Sequence, residues 1–145
     1  MRTRSHAASV VTMLAAVAWS LVPAAPAVAS AGITITGLSV VLDPNEARVD
    51  GTATCSTTTG TATVTVQVSQ DFPAARTWGI GNISVSCADQ PAHWSVHVTV
   101  FGLCTFPGGP GCFPIDFLPD STADAWALLS RNGVQEAIHS GEFPT

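Results

Sequence analysis

"TATVTVQVSQ", residues 61–70, alternates small or β-branched apolar residues with polar ones without a break. Ala62, Val64, Val66 and Val68 fall on one face, and Thr63, Thr65 and Gln67 on the other. A period of two is the period of a strand, whose successive side chains point to opposite faces. Valine and threonine also fit a pleated, half-buried surface. The stretch predicts a β-strand with one face in a core.

The same pattern recurs on both sides. "ITITGLSVVL", residues 33–42, places Ile33 and Ile35 together before Gly37 breaks the phase, which predicts a bulge. "ARVDGTATC" aligns Val49, Gly51, Ala53 and Cys55, and "TTTG" (57–60) turns the chain. "NISVSC" aligns Ile83, Val85 and Cys87. "HWSVHVTVF" aligns Trp94, Val96, Val98 and Val100, with His93, Ser95, His97 and Thr99 opposite. "RTWGIGN", with Trp78, reads as a loop or edge. Further on, Asn132-Gly133 is a hairpin signal, because both turn positions favour positive φ. It predicts pairing of Ala123–Leu129 with Val134–His139; "ADAWALL" (123–129) also admits a helical turn or two. About seven short strands joined by turns predict an all-β fold, a small antiparallel immunoglobulin-like β-sandwich. The likeness to immunoglobulins is one of design. Their core tryptophan lies between the two cysteines, whereas Trp94 follows Cys87 and the residue between is Trp78.

The beginning of the chain reads differently. Arg2 and Arg4 precede an apolar run from Ala7 to Val22, followed by Pro23, Pro26 and the small-x-small stretches "AVAS" and "ASAG". That is the pattern of a secretory signal peptide over residues 1–31, cleaved after Ala29 or Ala31. The remaining residues, 32–145, predict a single secreted domain with no further membrane span. This part has no lysine. Arg48, Arg76 and Arg131 face ten Asp and Glu, a net charge of −7. Such a field argues against nucleic acid and anionic lipid as partners.

All four cysteines, Cys55, Cys87, Cys104 and Cys112, lie in the exported part. Export and an even count predict two disulfides. Three pairings are open. The reading favours Cys55–Cys87 with Cys104–Cys112, because the second pair is local and its loop is flexible enough to close. The spacings do not suit zinc, which takes close cysteine pairs.

"DGTATCSTTTGTATVTVQVSQ" (50–70), "GIGN" (79–82) and "VSCADQPAHW" (85–94) together resemble a family of small secreted actinobacterial domains of unknown function. The residues that carry the resemblance are Gly51, Thr52, Cys55, Thr59, Gly60, Val64, Val66, Val68, Ser69, Gln70, Gly79, Ile80, Gly81, Cys87, His93 and Trp94. They lie within roughly Asp50 to Val98. The resemblance implies a Cys55–Cys87 bridge, a secreted β fold and an actinobacterial source. It implies no catalytic residues. It does not extend to "LCTFPGGPGCFP" (103–114), a departure from the family pattern.

That loop is the candidate site. Pro107 and Pro110 restrict the backbone, and Gly108, Gly109 and Gly111 permit tight turns. Phe106, Phe113 and Phe117, with Ile115 and Leu118, supply apolar surface. A loop ordered in advance loses less entropy on binding. The reading is a binding loop over Leu103–Leu118, with Phe106, Pro107, Pro110, Phe113 and Phe117 as contacts. Its partner would be an extracellular protein, glycan or small molecule. The competing reading is a plug: in a small domain the same aromatics cover an open end of the core. Two other designs are comparable, the first in size, charge and architecture and the second in its two disulfides and displayed loop. One is a small-molecule carrier of the chromophore-apoprotein kind, with a cleft at Trp78, Phe106 and Phe113. The other is a protease inhibitor cut slowly near Phe106.

Other chemistry finds few residues. Asp116, Asp120 and Asp124 read as solvated loop carboxylates rather than calcium ligands. His93 and His97 stand roughly 13 Å apart along one strand, too far to share a metal. No Gly-x-Ser-x-Gly elbow is present, and the neighbours His139 and Ser140 point to opposite faces. The expectation is a monomeric domain without enzymatic activity, metal or cofactor.

Overall fold

The computed structural model describes residues 30–42, 45–72, 75–102 and 116–145. Seven strands form: β1 (Gly32–Leu42), β2 (Asn45–Thr54), β3 (Thr61–Phe72), β4 (Ala75–Ser86), β5 (Ala92–Gly102), β6 (Thr122–Arg131) and β7 (Val134–Pro144). All pairings are antiparallel, in one sheet of order β1-β2-β5-β4-β3-β6-β7. The sheet curls until β1 approaches β7, so the barrel is nearly closed. The all-β class and the antiparallel design stand as the sequence predicted. The architecture is a single curled sheet.

The alternation read from residues 61–70 is the alternation of burial. Val64, Val66 and Val68 are fully buried, with Ala62 beside them. Ile33, Ile35, Val49, Ala53, Val85, Trp94, Val96, Val98, Ala123, Ala125, Ala127 and Leu129 complete the core around Cys55 and Cys87. "ADAWALL" is strand, not helix, since its alanines at alternate positions meet β3 in register from Ser69↔Asp124 to Thr63↔Ser130. Asn132 (φ 52°) and Gly133 (φ 78°) make the predicted hairpin turn. The ladder of β1 and β2 skips Thr36 between Ile35 and Gly37, which is the predicted bulge.

One segment departs from the reading. "RTWGIGN" is not a loop but the first half of a continuous β4, in which Trp78 is half-buried. Its glycines pair with β3 (Gly79 with Val68, Gly81 with Val66) where the strand also lies against β5. A Cβ on Gly79 would stand 2.3 Å from the Thr99 carbonyl oxygen, and one on Gly81 2.5 Å from that of His97. Only glycine permits the β4 and β5 backbones to approach this closely.

Trp94 packs by the same device. Its indole lies over Gly51, its partner across the β2–β5 ladder, where a Cβ would meet the ring at 2.2 Å. Among the described residues the Trp94 indole N–H is buried and has no hydrogen-bond partner.

One end of the barrel is closed covalently. Cys55, just past β2, is bonded to Cys87, just past β4, with Cα atoms 5.5 Å apart. The Cys87 N–H donates to the Gly60 carbonyl at 2.9 Å, with Gly60 at φ 94°. Cys104 and Cys112, the other proposed pair, lie outside the described residues.

Beside the disulfide sits a three-residue polar network. Ser56 Oγ donates to Glu136 Oε1 at 2.7 Å and its N–H to Oε2 at 3.3 Å. Arg131 Nε donates to the same Oε1 at 2.7 Å, and Arg131 Nη2 to Ser56 Oγ at 3.1 Å. The Glu136 side chain is only 9% exposed. Hydrogen bonds from Ser56, and then from Arg131, hold its carboxyl below its ordinary value. A carboxylate with a lowered folded pKa binds its proton less tightly when folded. Its stabilising contribution is complete above the ordinary carboxylate range and disappears as pH falls through the lowered value. Glu136→Gln should therefore cost about 1–3 kcal/mol at pH 7. The gap to the parent should shrink steadily in urea unfolding curves taken toward about pH 3. A gap independent of pH would mean that the network acts by packing alone.

Candidate functional site

The opposite end carries the candidate loop. β5 enters it at Phe101 and Gly102, which pair with Trp78 and Thr77 of β4. The chain returns at Asp116, and the next two residues are clamped by two side-chain amides. Asn45 Nδ2 donates to the Phe117 carbonyl at 3.1 Å, and the Phe117 N–H donates to Asn45 Oδ1 at 3.0 Å. Gln70 repeats the arrangement on Leu118: Nε2 donates to the carbonyl at 3.0 Å, and the Leu118 N–H donates to Oε1 at 2.8 Å. Each amide supplies a donor and an acceptor, so it satisfies a backbone N–H and C=O as a neighbouring strand would. Thr145 Oγ1 also donates to the Leu118 carbonyl, at 2.9 Å.

Gln70 is 1% exposed, one of two buried polar side chains among the described residues. It occupies the inward phase after Ala62, Val64, Val66 and Val68, where an amide costs stability unless both of its ends are paired. That phase was the available signal. Asn45 carried none, because its partner lies far away in sequence.

Phe117 is fully buried, while Leu118 is 48% exposed. In this structure Phe117 packs in the core, and Asn45 holds both of its backbone polar groups. Phe106, Pro107, Pro110 and Phe113 lie outside the described residues, as does Ile115.

Next to the clamped stem is an acidic hollow of about 220 Å³, lined by Ser69, Asp71, Ser121, Thr122, Asp124 and Glu142. Register explains the grouping: Asp124 sits opposite Ser69 on one side and Glu142 on the other. Arg76 forms a two-point pair with Asp71, with Nη2 to Oδ2 at 2.8 Å. That hydrogen bonding holds the Asp71 carboxyl below its ordinary value. Asp116, Asp120 and Asp124 are all exposed. Among the described residues no three His, Cys, Asp or Glu side chains are grouped to hold a metal ion.

His93 and His97 stand on the outward face of β5, as the alternation predicted. His97 Nδ1 is 2.8 Å from Glu46 Oε2. A second hollow, of about 320 Å³, lies between β1, β2 and β5 near Arg48, Asp50, His93 and Ser95. Arg48 Nε is engaged within it, with Asp50 Oδ1 at 3.3 Å and Ser95 Oγ at 3.1 Å.

Comparison with protein-family models, curated proteins and solved structures finds no match to this chain. The chain thus leaves β5 at Gly102 from a paired strand end and returns to a backbone held by Asn45 and Gln70, beside an acidic surface.

Proposed function

We propose that the chain is a secreted, non-enzymatic binding domain that presents the loop between Gly102 and Phe117 to an extracellular protein, glycan or small molecule. The observation that carries this reading is the clamp of Asn45 and Gln70 on the Phe117–Leu118 backbone. Two amides committed to fixing a loop stem lower the entropy lost when the loop meets a partner. A Cys104–Cys112 bridge, which we include in the proposal, would restrict the loop further. The acidic hollow beside the stem favours a neutral or basic partner surface and disfavours nucleic acid.

The wider reading keeps the sequence resemblance: a small secreted actinobacterial domain whose leader is residues 1–31, working as a monomer outside the cell. For the architecture, we read the curled sheet as two leaves of an immunoglobulin-like sandwich. β1-β2-β5 would form one leaf and β4-β3-β6-β7 the other. The β4–β5 junction supports this, as it holds only four residue pairs, Thr77↔Gly102 to Ile80↔Thr99.

The test is capture. Immobilised protein, with a Phe106→Ala, Phe113→Ala variant in parallel, is exposed to culture filtrate and envelope extract of an actinobacterium, and the eluates go to mass spectrometry. A Gln70→Leu variant, which releases the Leu118 clamp, is run as a third arm. The proposal expects one species retained by the parent, lost by the double variant and weakened at least several-fold by Gln70→Leu. Equal retention by all three, or no retention with a lowered melting temperature in the double variant, would make the aromatics a plug.

A further inference from the structure

The seam between β1 and β7 is not joined by a backbone ladder, because β1 pairs only with β2 and β7 only with β6. It is bridged by a side chain. The Ile35 N–H, which points away from β2, donates to His139 Nδ1 at 3.3 Å. Ile35 is the last residue before the Thr36 bulge, which interrupts the β1–β2 ladder before it resumes at Gly37↔Asp50. His139 is half-buried on the inward face of β7, its ring 6.5 Å from that of Phe143 at 54°.

Nδ1 accepts a hydrogen bond only while it carries no proton, which requires the neutral ring with its proton on Nε2. Protonation at Nδ1 turns that acceptor into a donor aimed at another donor. The Ile35 N–H is then left without a partner on a partly buried edge. Among the described residues of β1, β6 and β7, no ionisable side chain is hydrogen-bonded or ion-paired to the ring. The inward residues of β6 are Ala123, Ala125, Ala127 and Leu129, and those of β1 are Ile33, Ile35, Leu38 and Val40, none of them ionisable. On β7 itself Glu142 faces outward, and Glu136 is occupied by Ser56 and Arg131.

We propose that His139 is an acid-released latch: neutral, it fastens the β1 edge to β7; protonated, it lets the seam open while the β1–β2 ladder holds. Opening of this kind exposes strand-edge backbone, the part of a β fold most prone to new pairing.

The experiment is amide hydrogen exchange by NMR on the full folded domain with its disulfide intact, read as protection factors between about pH 8 and 5, where histidine changes charge. The parent, His139→Gln and His139→Ala are compared, and the His139 ring nitrogens are followed in the parent. Glutamine can accept through Oε1 but cannot titrate. The parent should lose Ile35 protection by about tenfold as the His139 ring takes up its proton, the worth of one hydrogen bond. Amides directed into the β1–β2 ladder should keep theirs. His139→Gln should hold Ile35 protection constant across the range, and His139→Ala should lack it throughout. Three outcomes would overturn the latch. One is an Nδ1 that carries the proton at pH 8. Another is unchanged Ile35 protection while the ring titrates. The third is an equal loss in His139→Gln, which would assign the effect to His93, His97 or the carboxylates.

Discussion

Gly51→Ala is expected to destabilise the domain by at least about 3 kcal/mol, at or beyond the upper end for overpacking. The added Cβ would lie 2.2 Å from the Thr34 carbonyl oxygen and 2.2 Å from the Trp94 ring. The first neighbour is backbone in an adjacent strand, and the second belongs to Trp94, a core residue only 4% exposed. Relief requires β1 to separate from β2, or Trp94 to leave the core, and either change disrupts the packing around Val49 and Val96. The melting temperature should fall by roughly 10–20 °C. Gly37→Ala is the matched control. Its Cβ meets nothing within 4 Å, and its φ is not in the left-handed region, so its midpoint should stay within a few degrees of the parent, about ±0.5 kcal/mol. Both values come from one set of thermal melts. A mild Gly51→Ala would mean that the Trp94 side of the core yields far more easily than its burial indicates.

The second large effect is loss of the Cys55–Cys87 bridge. The bonded residues are 32 apart in sequence, and constraining a loop of that length in the unfolded chain is worth roughly 3–4 kcal/mol on the chain-entropy account. Cys55→Ala with Cys87→Ala should therefore lower the melting temperature by on the order of 15 °C. The loss should not be independent of the polar network. Ser56 follows Cys55 directly and donates twice to Glu136, so freeing the end of β2 loosens both hydrogen bonds. A cycle combining the cysteine pair with Glu136→Gln should show a coupling of about 0.5 kcal/mol or more. Strict additivity would make the disulfide and the network separate fastenings.

Where local pattern decides the structure, the sequence was readable. The valines of residues 61–70, the Asn132-Gly133 turn and the phase break at Gly37 each act within a few residues. Of the pairing favoured among three, the Cys55–Cys87 bridge is formed, while Cys104 and Cys112 lie outside the described residues. β4 was missed in its first half because two glycines and a tryptophan erase the alternation there. The reason for the glycines lies in the carbonyls of Thr99 and His97, on another strand. The site was legible only in part. The loop itself stands out by its Pro, Gly and Phe content. The clamp behind it joins Asn45 to Phe117 and Gln70 to Leu118, and such pairings appear only once the chain is folded. Phe117 shows the same limit, since an aromatic residue in a loop has equal apolar character whether it faces solvent or core.

The strand order has a kinetic consequence. β2 completes its pairing only with β5, where Glu46 meets Thr99, and β3 only with β6, where Thr63 meets Ser130. Few of the contacts that close the core are local, and closing long loops comes before any reward for doing so. Chains with such topology fold in milliseconds to seconds rather than microseconds. During synthesis, the β3 edge stays unpaired until the chain has reached Asp124–Ser130. The sheet therefore stays open until β6 has been made, and the β6–β7 hairpin then brings β7 up to β1.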